Sequence, residues 1–338
     1  MAEYKKSEAR DWAKSQMHGV ANVIIPTFTQ DLKALNERAI RHDVRKEIEF
    51  GFWGALLVSE TATTVPEYGQ FAQWAVDEGR GNLRLIHHAS FNTLEENIEA
   101  VKASERAGAD LVLLSYPANF YPESAEDVFE YTRAFCEQTD LGVIIFPVPL
   151  WGFERLHPAG IPPAMIDRMV EEIPNIVAVK AEGGMPTIAG FAETWRKLSD
   201  KVVVTFPIED DAIPLAMLVN MQFMGTSDSE YYGPMVPRMF NLVREGNIDQ
   251  AMALYWQIHP ARVAHISSNA LMKGTNFVHR MLWKYEGWLN GFNGGPLRAP
   301  TMRLVDSQMK ALRQGLIASG LEITPDPDSE FYVGRNPA

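Results

Sequence analysis

A chain of 338 residues is long for one domain, yet barrels of alternating strands and helices run past about 250 residues as one unit, so length alone does not force two domains. With 46% hydrophobic and 22% charged residues the chain can bury a large core, and no stretch approaches the roughly 18 consecutive apolar residues of a membrane span. A net charge of −12 disfavours nonspecific binding to nucleic acid or anionic membrane, which leaves a small molecule as the expected partner.

The charged start, Met1-Ala-Glu-Tyr-Lys-Lys-Ser-Glu-Ala-Arg10, lacks the apolar stretch and cleavage site of a secretory signal, so a cytoplasmic location is expected. Residues 1–18 read as an N-terminal segment. Eight short apolar runs then alternate with amphipathic stretches, at 20–26, 54–58, 83–88, 111–115, 143–146, 177–180, 202–206 and 223–227. Each is rich in Val, Ile, Leu or Phe, as strands buried on both faces are. The intervening stretches show the helical period, with Ile40, Val44 and Ile48 on one face, then Leu94, Ile98 and Val101, then Met235, Met239 and Leu242. Thr93 with Glu96 forms a capping-box pattern, and Asp210-Asp211 reads as a cap before Ala212. Cys136, alone and in a helix-like stretch, reads as a packing residue.

Strand followed by helix, eight times over 19–246, predicts an α/β chain closed into a (β/α)8 TIM barrel. No glycine-rich dinucleotide loop follows the first strand, which counts against an open doubly wound sheet. Residues 247–323 continue as helices, roughly 248–264, 276–287 and 306–320. They carry Trp256, Trp283 and Trp288, and so should pack on the barrel or on another subunit. The polar tail, 324–338, is expected to be loosely held.

In such a barrel the active site lies at the carboxyl ends of the strands. That filter selects Glu60, His88, Ser115, Tyr116, Phe146, Lys180, Phe206, Glu209 and Ser227. Lys180 is the sharpest of these, because Ile176, Ala178 and Lys180 share one face of a period-two strand and its ammonium ends an apolar row. An ordinary lysine with pKa about 10.4 is neutral in only about one molecule in a few thousand at pH 7, whereas burial frees the amine to attack a carbonyl. The plain alternative is a strand-end lysine paired with Glu182 or Glu209. His87 and His88 are adjacent, so only one faces inward, and the register favours His88. No His-x-x-x-His or Cys/His cluster suggests a metal. Glu209 reads either as helix capping or as an acid inside the site.

Gly19-Val-Ala-Asn-Val-Ile-Ile-Pro-Thr-Phe28, Gly108-Ala-Asp110, Ile173-Pro-Asn-Ile-Val-Ala-Val-Lys180, Phe206-Pro-Ile-Glu-Asp-Asp211 and Gly294-Gly-Pro-Leu-Arg-Ala-Pro300 follow one another in a telling order. Together they resemble the dihydrodipicolinate synthase and N-acetylneuraminate lyase family of class I aldolases, with the last two segments most like its hydratase-aldolase branch. The resemblance implies a barrel with a helical extension, a homotetramer, and Lys180 as the Schiff-base lysine with no other cofactor. Where the family has Tyr-Asn-x-Pro after the fifth strand, this chain has Phe146-Pro-Val-Pro149, so the family's proton-shuttling tyrosine is missing. Where the family has Gly-Thr-Thr-Gly-Glu, Leu57-Val-Ser-Glu-Thr-Ala-Thr-Thr64 stands, and Glu60 or Thr61 can each be matched to a family residue. Ala118-Asn119 replaces the paired tyrosines of the dihydrodipicolinate synthases, which argues against lysine biosynthesis.

The expectation is a carbon–carbon lyase acting on an oxo substrate with a bulky or aromatic group. Lys180 would be the nucleophile, and Glu60, His88 and Tyr116 the acid–base candidates. Ser59, Thr61 and Ser227 would hold substrate oxygens, Glu209 would lie in the site, and Trp53, Phe146, Trp151 and Phe206 would form an apolar wall. The alternatives are a Schiff-base dehydratase or decarboxylase, and a non-catalytic ligand-binding barrel.

Overall fold

Short runs dense in Val, Ile and Leu form strands here because branched side chains suit a pleated surface covered on both faces. A computed structural model describes residues 2–148, 151–182, 187–270 and 280–338. Its strands are β1 (Gly19–Ile24), β2 (Gly54–Leu57), β3 (Arg84–Ala89), β4 (Leu111–Leu114), β5 (Gly142–Ile145), β6 (Ile176–Lys180), β7 (Val203–Thr205) and β8 (Phe223–Gly225). They pair in parallel in the order β7-β6-β5-β4-β3-β2-β1-β8. Between the two ends of that order the Gly225 amide donates to Thr205 Oγ1 at 3.3 Å, so a side chain links β8 to β7. A Cβ at Gly225 would lie 2.9 Å from both the Cβ and the carbonyl oxygen of Ala21. Only glycine therefore lets the eighth strand lie against the first. The result is the expected nearly closed barrel.

Helix α1 (Ala9–Gln16) precedes β1. The barrel helices are α2 (Glu37–Phe50), α3 (Val65–Gly79), α4 (Leu94–Ala107), α5 (Ala125–Cys136), α6 (Pro163–Glu172), α7 (Thr187–Leu198), α8 (Glu209–Leu218) and α9 (Met235–Arg244). The expected capping box on α4 is present, with Glu96 N–H donating to Thr93 Oγ1 and Thr93 N–H to Glu96 Oε2, both at 3.1 Å. Asp210 and Asp211 do not cap α8; Ile208 takes that position, and the acids fall in the first turn, facing the positive end of the helix dipole.

The N-terminal segment closes the barrel's floor. Arg10 donates to the carbonyls of Ile173 and Ile176 at 2.6 and 2.9 Å, and the Gly142 amide donates to the Tyr4 hydroxyl at 2.8 Å. Those are the amino ends of β5 and β6, so the carboxyl ends are left as the mouth. Trp53 belongs to the floor as well. It precedes β2, its amide donates to Val20 O, and its ring packs edge-on against Phe223 at the start of β8. The expectation that Trp53 lines the site is therefore corrected: it stands at the wrong end of its strand.

The extension consists of α10 (Ile248–Gln257), α11 (His259–Ala270), α12 (Arg280–Leu289) and α13 (Asp306–Ala318). The first residues of the helix expected at 276–287 lie outside the described residues. Trp288 is buried as expected, whereas Trp256 is 60% exposed. The tail differs from expectation. Phe331 is fully buried against Trp288 and Tyr285, Arg335 donates to the carbonyls of Trp288 and Phe292 at 3.0 Å each, and Gln30 N–H donates to Ala338 O at 2.8 Å. An aromatic anchor flanked by polar residues fixes this segment although its average composition is that of a loose end.

Phe331→Ala should therefore lower stability by about 3–5 kcal/mol, the usual cost of emptying a buried aromatic site. Urea unfolding measures it, and a loss below about 1 kcal/mol would mark the tail as weakly docked.

Candidate active site

Lys180 ends β6, whose residues are all buried, so its amine emerges at the mouth with little access to water. Nζ donates to the Thr226 carbonyl at 2.7 Å, lies 3.8 Å from the centre of the Phe146 ring and stands 3.5 Å from Glu182 Oε2. Thr226 follows β8, so the lysine reaches past β7 to the strand whose ladder has just ended. Burial lowers the Lys180 pKa, the Arg280 charge adds to the effect, and Glu182 and Asp228 oppose it.

His88 is the inward histidine, as the register suggested. Ser59 N–H donates to its Nδ1 at 3.3 Å, which requires an unprotonated Nδ1, so Nε2–H donates to Ser115 Oγ at 2.9 Å. Ser59 Oγ also approaches Nδ1, at 3.2 Å. Burial, with help from Arg280 and Lys180, brings the His88 pKa down to about 4, so the ring is neutral near pH 7. His87 faces the helices, with Nδ1 2.8 Å from Ser104 Oγ on α4.

Glu60 is ion-paired with Arg280 and accepts from Ser90 Oγ at 2.9 Å. Burial alone would raise its pKa, but the Arg280 charge, His88 and these hydrogen bonds outweigh it and hold the carboxyl at about 2. Arg280 in turn lies 4.4 Å from the Trp283 ring centre. Thr61 is buried, and its hydroxyl has no partner among the described residues; the same holds for Thr226 Oγ1.

Four expected site residues, Tyr116, Phe206, Glu209 and Ser227, are not against the Lys180 amine. Tyr116 takes a left-handed backbone conformation, φ 60°, just after β4, which sends its ring outward. Its hydroxyl is 2.7 Å from Thr132 Oγ1 on α5, while its carbonyl accepts from the Trp151 indole at 3.2 Å. Phe206 packs edge-on against Phe191 of α7, in the layer between barrel and helices. Glu209 is clamped by Arg262 through two hydrogen bonds of 2.7 and 2.9 Å. With Ser227, whose hydroxyl donates to Asp228 Oδ1 at 2.7 Å, and with His265 and Asn269, this pair lines a cavity of about 140 Å³ beside β8.

Sequence reasoning gave no site role to Glu182, Arg280, Asp228, Arg262, His265 or Glu286. Glu182 carried a signal, an acid two positions past the lysine; the arginines and His265 come from the extension, and no local pattern announces them. His265 Nδ1 is 2.7 Å from Glu286 Oε1, and Nε2 is 3.6 Å from Asp228 Oδ2. Ligand atoms of these three residues lie within 4.8 Å of one another, which is close enough to prompt the question of a metal. Burial disfavours the imidazolium, but Glu286 and Asp228 more than compensate and push the pKa up to about 10. With the ring protonated, His265 pairs with both carboxylates, and the trio forms an ion-pair network.

A nearly closed ring of eight parallel strands with a desolvated amine at its carboxyl mouth defines the class: a TIM-barrel protein. A model of the Dihydrodipicolinate synthetase family matches residues 16–316, and the chain belongs to that family, which includes Schiff-base aldolases and lyases. It is 24% identical over 311 residues to the 4-hydroxy-tetrahydrodipicolinate synthase of Methanopyrus kandleri, covering 90% of this chain and 97% of that one. The fold is similar to that of N-acetylneuraminate lyase from Fusobacterium nucleatum, with TM-score 0.73, 17% identity, and 89% and 98% of the two chains covered. It is also similar to that of PhdJ bound to a substrate intermediate, with TM-score 0.75, 18% identity, and 94% and 97% covered. Among the described residues no helix is long and apolar enough to cross a membrane.

His265→Leu removes the cation that, among the described residues, stands between Asp228 and Glu286, and should cost about 3–5 kcal/mol near neutral pH. Because its folded pKa is raised, the contribution of His265 is complete below pH 6.5 and is lost as pH rises through about 10. Denaturant midpoints of both proteins across that range check the magnitude and the sign.

Proposed function

We propose that the chain is a class I carbon–carbon lyase in which Lys180 forms a Schiff base with an oxo substrate. The observation that carries this is the Lys180 amine itself: buried, held by one hydrogen bond to the Thr226 carbonyl, and lowered in pKa. A neutral amine attacks a carbonyl carbon, and the iminium that follows accepts the electron pair of the adjacent carbon–carbon bond as it breaks. The protein supplies the nucleophile and a dry site, and this route needs no cofactor beyond the lysine.

Phe146 and Trp151 favour an apolar or aromatic group on the substrate. The Phe146 ring borders Nζ, and the Trp151 indole is moored to the carbonyls of Ser115 and Tyr116 at 3.0 and 3.2 Å. The free hydroxyls of Thr61 and Thr226 are the donors available to substrate oxygens. Cleavage to an aldehyde, as in the hydratase-aldolase branch, is the outcome we favour, and the homotetramer belongs to the same proposal.

Borohydride reduction in the presence of pyruvate, phenylpyruvate and benzylidenepyruvate should leave a covalent adduct on the peptide containing Lys180, absent from Lys180→Ala. If no member of the panel is trapped there, the Schiff-base reading fails. With benzylidenepyruvate, release of benzaldehyde marks cleavage, and its absence despite trapping would point to dehydration or decarboxylation.

A further inference from the structure

A Schiff base cannot form without a proton carrier. One proton must reach the carbonyl oxygen as the amine attacks, another must leave nitrogen, and a third must go to the hydroxyl that departs as water. The family's tyrosine position is Phe146, whose ring has no proton to give. The acid–base candidates expected from the sequence are all occupied. Glu60 is fixed as an anion by Arg280 and Ser90, both nitrogens of His88 are engaged by Ser59 and Ser115, and the Tyr116 hydroxyl is outside the barrel on Thr132.

One carboxyl remains at the reacting atom. Glu182 Oε2 stands 3.5 Å from Lys180 Nζ and, among the described residues, is the one carboxylate within 4 Å of it. Catalytic hydrogen bonds are often this long before a substrate arrives and tighten in the complex. The surroundings of Nζ are divided between groups of different kinds. The Thr226 carbonyl takes one hydrogen, the Phe146 ring covers one side without competing for a proton, and Glu182 is left to exchange one.

We propose that Glu182 is the proton carrier of this site, acting from the end of β6 in place of the tyrosine that the family carries after β5. The proposal rests on Lys180 being the Schiff-base lysine. In the resting pair a single proton is shared. With the proton on Glu182, the neutral amine attacks the substrate carbonyl, a nitrogen–carbon bond forms, and the carbonyl π pair moves to oxygen, which takes the Glu182 proton. The Glu182 carboxylate then removes one proton from the positively charged nitrogen. Glu182 returns that proton to the carbinol hydroxyl, which leaves as water while the nitrogen lone pair closes the carbon–nitrogen double bond. The products are iminium, carboxylate and water, and no other reactant is needed.

The electrostatics suit this exchange. Burial raises the Glu182 pKa, Lys180 opposes it and Asp228 adds to it; burial lowers the Lys180 pKa, with Arg280 adding and Glu182 and Asp228 opposing. The two groups are moved toward each other, which is what lets a proton rest on either. The other charged groups facing the pair are Asp228 and Arg280, with His88 neutral beside them.

Glu182→Gln separates a proton carrier from a mere counter-charge. Loss of the carboxylate removes the partner that raises the Lys180 pKa, so more amine is neutral at pH 7. If Glu182 only balances charge, the rate of borohydride trapping with pyruvate, or with the best-trapped 2-oxo acid of the panel, stays the same or rises. If Glu182 carries the proton, E182Q traps at least about 100-fold more slowly, the ordinary scale of general acid–base catalysis. Formate should then restore part of the rate to E182A in a concentration-dependent way, and E182D should keep more activity than E182Q. Circular dichroism confirms folding, and should E182Q not fold, E182D against E182A with formate decides in its place. Undiminished trapping in E182Q, or in E182A without added formate, overturns the proposal while leaving Lys180 in place. No adduct on the wild-type protein overturns both.

Discussion

The rest of the site follows from one constraint: an amine stands at the end of a strand that is buried on both faces. Lys180 cannot be solvated there as a free lysine is, and a lone ammonium in such a place would cost several kcal/mol. Its neighbours are the answer to that cost. The Thr226 carbonyl accepts one hydrogen, the face of Phe146 offers weak compensation, and Glu182 provides a charge that can be withdrawn by moving one proton.

The two glutamates near the mouth show how environment divides like groups between unlike roles. Glu60 is half-buried, yet a guanidinium and a serine hydroxyl hold its carboxyl at a pKa of about 2. Glu182 is half-buried as well, but its closest partner is an amine whose own charge is unstable there. Glu60 is thus a fixed charge that anchors Arg280 over the site, and Glu182 is a movable one.

What could be read in the sequence was whatever depends on local period. The eight strands, their parallel order and the inward direction of Lys180 and His88 follow from two-residue alternation in runs too apolar to be surface strands. The misplacements share a cause, since each turns on geometry that alternation does not encode. Tyr116 leaves the alternation through a positive φ immediately after β4, Phe206 is claimed by Phe191 on α7, and Trp53 lies at the amino end of its strand. Glu182 was visible but was read only as a neutralising partner. The Arg280 contact with Glu60 spans 220 positions, and no local signal could have supplied it. The tail was misjudged because a few anchors, chiefly Phe331, outweigh its polar average.

Those distant contacts give the C-terminal extension its purpose. Four acids of the barrel meet a cation that the extension brings: Glu60 meets Arg280, Glu209 meets Arg262, Asp228 meets His265, and Asp43 feels Lys284. Lys284 shows the debt running the other way. Its amine donates to the carbonyls of Ile25 and Pro26 and to Thr27 Oγ1, and burial brings its pKa down to about 7 although Asp43 opposes the shift. Glu47 and Glu230, which meet no such cation among the described residues, have their pKa values pushed well above the ordinary glutamate value by burial. Barrel and extension therefore cannot be separated without stranding charges on both sides. The electrostatic setting of Lys180, through Arg280, is in the same way a product of the extension having docked.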